Sequence, residues 1–254
     1  MRKETCGLMT VIRGQSTPDM ARLAAEAFAR SVSELLVDHD SLPVVFSGAQ
    51  SQMEFHAALR QRSDIPWNRL DAFAVDEFYA PGIPRHLRVC AQPERDLYSQ
   101  LPFRSVNVLE ADPPDLEAER RRYEALIRAN PPRLACLGIG LSGHLALNEP
   151  GADPHDRQAV RLVEVCEASK RQLEQDPNFA ALGSIPSQGL TLTLPVLLAA
   201  KTLLVVVPYA LKRPVVEQLF ATEVTPELPA TLLRTHPDAT LFLDPDSAPL
   251  GSPL

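Results

Sequence analysis

The sequence contains no Cys-x-x-Cys pair, no zinc-like Cys/His spacing, no basic stripe and no apolar run near the about 18 residues a membrane helix needs. Each absence closes a class of function. The four cysteines, Cys6, Cys90, Cys136 and Cys166, stand singly, which predicts reduced, buried thiols in a cytoplasmic protein rather than a disulfide framework or a metal site. Arg2 and Lys3 are not followed by an apolar segment, so no targeting or membrane segment is expected. The formal net charge is −7 with acids and bases interspersed, which argues against a nucleic-acid surface. A small anionic ligand stays compatible, because donors inside a pocket can outweigh the global charge. No internal repeat, low-complexity block or linker divides the 254 residues, so a single domain over 1–254 is expected, with a loose tail from 244 to 254.

What is present is ordinary globular material: 45% hydrophobic and 22% charged residues, enough for a substantial core. The 24 prolines exceed the usual share of about 5% and gather in apparent loops. Aliphatic runs at 8–12, 42–46, 70–75, 106–109, 134–137, 160–163, 190–194, 203–207 and 240–243 read as strands. Amphipathic stretches between them read as helices: one entered through Thr17-Pro18, then 53–60, 114–128, the short 196–200 and 211–221. Alternating strands and helices predict an α/β protein with a mostly parallel central sheet and helices on both faces. Residues 165–188 are polar and poorly periodic, and Pro177 and Pro186 bracket an expected loop or lid.

Ligands of open α/β sheets bind beyond the carboxyl ends of strands, and three polar segments fall at such ends. Segment 47–52, Ser-Gly-Ala-Gln-Ser-Gln, leads from a strand into a helix. Its small residues and hydroxyls suit an anion, and equally a tight turn with a helix cap. It lacks the Gly-Lys-Ser/Thr of a nucleotide-hydrolysing loop. Asp76-Glu77 puts carboxylates at the end of an apolar strand, as a general base or as turn-capping acids. Segment 138–150 carries Gly138, Gly140 and Gly143, with His144 five residues before Glu149. That acid could orient the imidazole and favour its charged form. The remaining histidines, His39, His56, His86, His155 and His236, are assigned to surface or core.

Taken in order, these segments resemble the glucosamine-6-phosphate deaminase and 6-phosphogluconolactonase superfamily over about residues 8–244. Segment 47–52 is similar to the family's Ser-Gly-Gly-Ser-Thr-Pro phosphate loop. Asp76-Glu77-Phe78-Tyr79, preceded by Trp67, resembles its Asp-Glu-aromatic strand end. Segment 138–150 resembles its Gly-x-Gly-x-(Asp/Asn)-Gly-His motif, and Asn148-Glu149-Pro150 is deaminase-like. Lys212 stands where the family has a phosphate-pairing lysine. The resemblance implies a Rossmann-like fold, no metal or organic cofactor, and a small sugar phosphate as partner; a homo-oligomer is compatible with it. It implies Asp76, His144 and Glu149 as catalytic residues, with Ser47, Gly48, Ala49, Ser51 and Lys212 binding phosphate. The implied reaction converts glucosamine or galactosamine 6-phosphate to a ketose 6-phosphate and ammonia. A 6-phosphogluconolactonase, or a weakened sugar-phosphate-binding protein, are the alternatives.

Three departures bear on the site. Ala49 replaces a loop glycine, and its methyl would obstruct an anion if the position needed a left-handed backbone. Gln52 replaces the loop proline. Ser142 stands where many deaminases have aspartate, so His144 is expected to have one acidic partner, Glu149, rather than two. Glu77 and Arg171 are further candidates, the latter for a second phosphate-binding cation.

Overall fold

Short aliphatic runs closed by turn residues form the strands of the computed structural model, which describes residues 2–175 and 185–249. In chain order these are β1 (Arg2–Cys6), β2 (Met9–Arg13), β3 (Leu42–Phe46), β4 (Leu70–Ala74), β5 (Asp76–Tyr79), β6 (Ser105–Asn107), β7 (Leu134–Leu137), β8 (Val160–Glu164), β9 (Gln188–Leu192), β10 (Thr202–Val207) and β11 (Ala239–Leu243). Eight of them make one sheet in the order β1-β2-β11-β10-β7-β3-β4-β6. Its ladders are parallel except for the edge pair β1 and β2. The other three form a small antiparallel sheet, β5-β9-β8.

Side-chain alternation along the strands builds two cores. Phe46, Val206 and Phe242 pack with Met20 and Phe28 of helix Thr17–Leu35 and with Phe55 and Leu59 of helix Met53–Arg60. On the opposite face, Val45, Val205 and Leu241 meet Tyr123 and Ile127 of helix Leu116–Ala129 and Val215 and Leu219 of helix Arg213–Ala221. Both faces are therefore covered, as a parallel sheet requires. The order of winding then sets where a ligand can enter. From β3 the chain proceeds outward through β4 to β6, then returns to β7 and winds the other way through β10 to β11. Adjacent β3 and β7 thus mark a switch point, where the following loops part and leave a crevice.

Several sequence expectations are corrected. The first helix is capped by Ser16, whose hydroxyl accepts from the Asp19 N–H at 3.2 Å; Thr17 instead donates to Asp244 at 2.7 Å and is already helical. β1 was not foreseen, because its polar sequence suits an edge position and carries no apolar alternation. Asp76 and Glu77 follow the carboxyl end of β4, as expected, but they also open β5, which was not foreseen. Within the expected loop, Glu167–Gln175 is a polar helix with a Lys170–Glu167 pair three residues apart, while Pro177 lies outside the described residues. The helix expected at 196–200 spans Leu194–Leu198, because Pro195 fits a first turn. Residues 244–249 are not loose: Asp244 and Ser247 are fully buried, and 250–254 lie outside the described residues.

Asp244 has a specific task. It accepts from the Thr17 hydroxyl, the Tyr209 N–H at 3.1 Å and the Ser247 N–H at 2.8 Å. Tyr209 has φ 79°, a left-handed value uncommon for a bulky residue, and this carboxylate fastens it. Asp244→Ala strands the buried Ser247 N–H and two half-buried donors, and is expected to cost about 2–3 kcal/mol. A thermal melt should show Tm lower by about 5–10 °C; an unchanged Tm would remove Asp244 as the clamp of this corner.

Candidate active site at the switch point

Four neighbouring strands, β10, β7, β3 and β4, each release at their carboxyl ends a segment bearing a singled-out residue. The β3 loop begins with the Ser47 N–H donating to the Cys136 carbonyl at 2.9 Å, the last tie between β3 and β7 before they diverge. Gly48 follows because a Cβ there would lie 2.8 Å from the Val89 carbonyl oxygen. Ala49 has φ −175°, extended backbone open to any residue, so its methyl meets none of the left-handed strain considered above. Its N–H donates to Gln92 Oε1 at 3.1 Å, and Gln92 is itself held by His56 Nδ1 and Asp96. Neither the Ser47 nor the Ser51 hydroxyl donates a hydrogen bond among the described residues; Ser51 Oγ accepts one from Gln52.

The β7 loop is shaped around an imidazole. Gly140 is required because the His144 ring occupies the space of a side chain there, and Gly143 adopts φ 83° to close the 140–143 turn. Asn148 ties the loop to the small sheet by donating to the Leu145 and Leu192 carbonyls, both at 2.8 Å. Thr191 of β9 accepts from the Leu147 N–H at 3.1 Å. These bonds fix Glu149, whose Oε2 lies 3.2 Å from His144 Nδ1.

Ser142 completes this contact. Its hydroxyl lies 2.8 Å from Glu149 Oε2 and 2.8 Å from His144 Nδ1. A carboxylate only accepts, so the single hydroxyl proton goes to Glu149 and the ring must donate to Ser142. In the neutral ring the proton therefore sits on Nδ1, and Nε2, without a partner among the described residues, is left as acceptor. The other Glu149 oxygen accepts from Ser169 at 2.5 Å. Burial alone would raise Glu149; the bonds and charge of His144, then Ser169 and Ser142, hold it down at about 2.

Asp76 behaves oppositely. Its side chain has no hydrogen bond or ion pair among the described residues, and the residue is 8% exposed. Burial first, and the neighbouring Glu77 second, push its carboxyl up to about 8. Glu77 is directed elsewhere, into the N–H groups of Phe78, Val89 and Cys90 at 2.9–3.0 Å; it anchors the chain after β5, and burial raises it against those bonds. At the end of β10, Lys212 donates to the Ile139 carbonyl at 2.8 Å. It has no acidic partner among the described residues, and burial lowers its ammonium to about 8.

The structure therefore gathers Asp76, Ser142, His144, Glu149, Ser47, Gly48, Ala49, Ser51 and Lys212 along one edge. Arg171 is not brought in: it is exposed and donates to the Glu167 carbonyl of its own helix. Ser169, Thr191 and Gln92 were missed. Only its place as a polar residue between Leu190 and Leu192 of β9 could have flagged Thr191; no spacing signals the other two. Among the described residues no cluster of His, Cys, Asp and Glu could hold a metal ion, and no helix is long and apolar enough to cross a membrane.

Fold and edge together define an α/β protein with a histidine paired to a carboxylate, a second, buried carboxyl and a half-buried lysine at a switch point. The chain belongs to the glucosamine-6-phosphate isomerase/6-phosphogluconolactonase family, whose model matches residues 15–242. It is 27% identical to the glucosamine-6-phosphate deaminase of Bacillus cereus strain B4264 over 230 residues, 90% of this chain and 85% of that protein. The Bacillus cytotoxicus deaminase is 33% identical over 159 residues, 63% of this chain and 59% of that protein. Among solved structures, a monomeric glucosamine-6-phosphate deaminase superposes with TM-score 0.79 at 22% identity, covering 93% of this chain and 98% of its own. The 6-phosphogluconolactonase of Thermotoga maritima gives 0.72 at 21%, covering 92% and 98%.

The raised Asp76 carboxyl has a consequence for stability. The folded state keeps this proton up to about 8, whereas an unfolded aspartate loses it near about 3.9. Between those values the folded state binds more protons, so stability falls as pH rises through the window. Asp76→Asn should relieve this by about 4 kcal/mol at pH 7, raising Tm by about 10 °C, with little gain at pH 4. Melts at both pH values check it; a gain equal at both would locate the effect outside this ionisation.

Proposed function

We propose that the protein converts an amino-sugar 6-phosphate, glucosamine or its galactosamine epimer, to the ketose 6-phosphate and ammonia. The observation that carries this reading is the unpartnered Asp76 carboxyl, buried and raised to about 8, on the same sheet edge as the hydrogen-bonded His144–Glu149 pair. A carboxylate that binds its proton tightly is the base needed to remove hydrogen from a carbon beside a carbonyl. Family membership and the named deaminase relatives support the same choice.

In this reading His144 Nε2 takes the proton of the O1 hydroxyl and passes it to the ring oxygen as the C1–O5 bond breaks and the C1 carbonyl forms, with Ser142 and Glu149 holding the ring through Nδ1. Asp76 takes the C2 proton of the open chain and returns it to C1. With a second proton passing from the amine to O1, the amino aldose becomes a 2-imino ketose; water then adds to C2 and ammonia leaves. The Ser47–Ser51 loop and Lys212 hold the phosphate. All four cysteines are unpaired, which supports a reducing compartment such as the cytoplasm.

The test is release of ammonia and ketose 6-phosphate, in equal amounts, from the two hexosamine 6-phosphates. Asp76→Asn should lower kcat by about 10³-fold with the fold intact. Hydrolysis of 6-phosphogluconolactone with no ammonia from either amino sugar would replace the deaminase reading with the lactonase one.

The pH profile is a separate test. Asp76 must be ionised, so kcat/KM rises with pH toward about 8; Lys212 must be charged, so it falls beyond about 8. A narrow bell centred near 8 is expected for the wild type. Lys212→Arg, whose guanidinium does not titrate in this range, should flatten the alkaline limb and leave the acid limb in place. An alkaline limb unmoved by that change would assign it to another group.

A further inference from the structure

We infer that Gln52 is a positioning residue that turns the Ser51 hydroxyl into an anion donor. The inference rests on the sugar-phosphate reading and concerns how that subsite is built.

Gln52 is 1% exposed and lies in the seam between the β3 loop, β7 and β10. Its Nε2 donates to Ser51 Oγ at 3.2 Å and to the Val206 carbonyl at 3.1 Å, which accounts for both amide protons. Gly138 makes room for it, since a Cβ there would lie 2.9 Å from Nε2. The Gln52 N–H closes the turn onto the Ala49 carbonyl at 2.9 Å, so the side chain is launched from a fixed backbone.

Two features show that this orientation is selected. The Oε1 atom is buried and has no partner, an arrangement a free carboxamide would avoid. Turning the group over would set Oε1 against the Val206 carbonyl and remove the donor to Ser51. The amide therefore stays with its nitrogen toward Ser51 at the expense of its own oxygen. Ser51 Oγ, once it accepts from Gln52, keeps its single proton for another partner. A phosphate group, which presents acceptors, is recognised by a hydroxyl in that state. The half-buried Lys212 ammonium, held on the Ile139 carbonyl beside Gly138, supplies the matching charge.

The consequence is a coupling between adjacent residues that a packing role would not produce. Gln52→Met keeps the volume and deletes both donors; Ser51→Ala deletes the hydroxyl. On the full chain, KM and kcat for glucosamine 6-phosphate are measured alongside the Kd of inorganic phosphate by calorimetry. Gln52→Met should raise KM and the phosphate Kd about fivefold, with kcat within about twofold; Ser51→Ala should raise them about tenfold. The double variant should be no worse than Ser51→Ala, because Gln52 acts through that hydroxyl. Multiplying effects in the double variant, or unchanged constants in Gln52→Met, overturn the inference. Should Gln52→Met fail to fold, Gln52→Glu serves: its carboxylate cannot donate, and phosphate affinity should fall more than tenfold. Wild type that binds phosphate with this coupling but releases no ammonia would leave Gln52 in place and remove the deaminase reading. Ammonia release with constants indifferent to Gln52 would do the reverse. Wild type that binds neither ligand overturns both.

Discussion

The pairing of β3 with β7 is the constraint on which the site depends. These strands are hydrogen-bonded neighbours, yet the chain leaves them in opposite directions around the sheet. Up to Ser47 and Cys136 the ladder holds them together; past that bond no strand lies between the loops. Because both sheet faces are packed, the strands cannot shift, and the loops that follow them are held apart by the cores. β10 and β4, the outer neighbours of this pair, bring a cation from one side and a carboxyl from the other. The small sheet reinforces this, since β5 starts at Asp76 and its partner β9 holds the His144 loop through Thr191.

Two carboxyl groups on this edge are driven apart by their surroundings. Glu149 accepts from two hydroxyls, with the His144 Nδ1 3.2 Å away, and is held down at about 2; Asp76 receives nothing and keeps its proton to about 8. Divergent carboxyl environments are how one fold supplies both a charge stabiliser and a base. Ser142 fits this pattern better than its residue type suggests. It does not supply a second negative charge, but by donating to Glu149 and accepting from His144 it fixes the ring tautomer. Glu77 contributes at one remove, because a buried neighbouring acid discourages Asp76 from ionising. A side chain that anchors the 89–90 backbone thereby has a chemical effect.

Much of this was legible in the sequence where residue type and position carry the same message. The β3 and β7 strands and helix Met53–Arg60 stand where their apolar periodicity puts them, and the glycines of 138–143 announced a loop with close approaches. What was not legible depends on contacts distant along the chain. Ser16 rather than Thr17 caps the first helix because Asp244, more than 200 residues on, claims the Thr17 hydroxyl. Ser169 lies in a helix whose polar sequence hides its one inward contact. Gln92 reaches Ala49 across 43 residues. Ala49 shows the converse: a substitution that looked obstructive is harmless because the backbone there is extended.

The groups that suit this edge for chemistry also work against the fold. Asp76 is buried and Lys212 half-buried where their charged forms are disfavoured, Gln52 leaves an acceptor unmet, and Ala146 and Tyr209 hold left-handed backbone angles of 54° and 79°. Each such feature costs on the order of 1–3 kcal/mol, comparable with a sizeable part of a domain's net stability. They persist together because rigid elements fix both ends of every strained segment: Asp244 at Tyr209, Asn148 and Thr191 around Ala146, β10 beneath Gln52. An anion beside Lys212 would favour the ammonium form that burial opposes, so part of that unfavourable energy would return on binding. Folding and recognition are therefore in tension here, and the tension is confined to the carboxyl edge, where four strands leave the sheet.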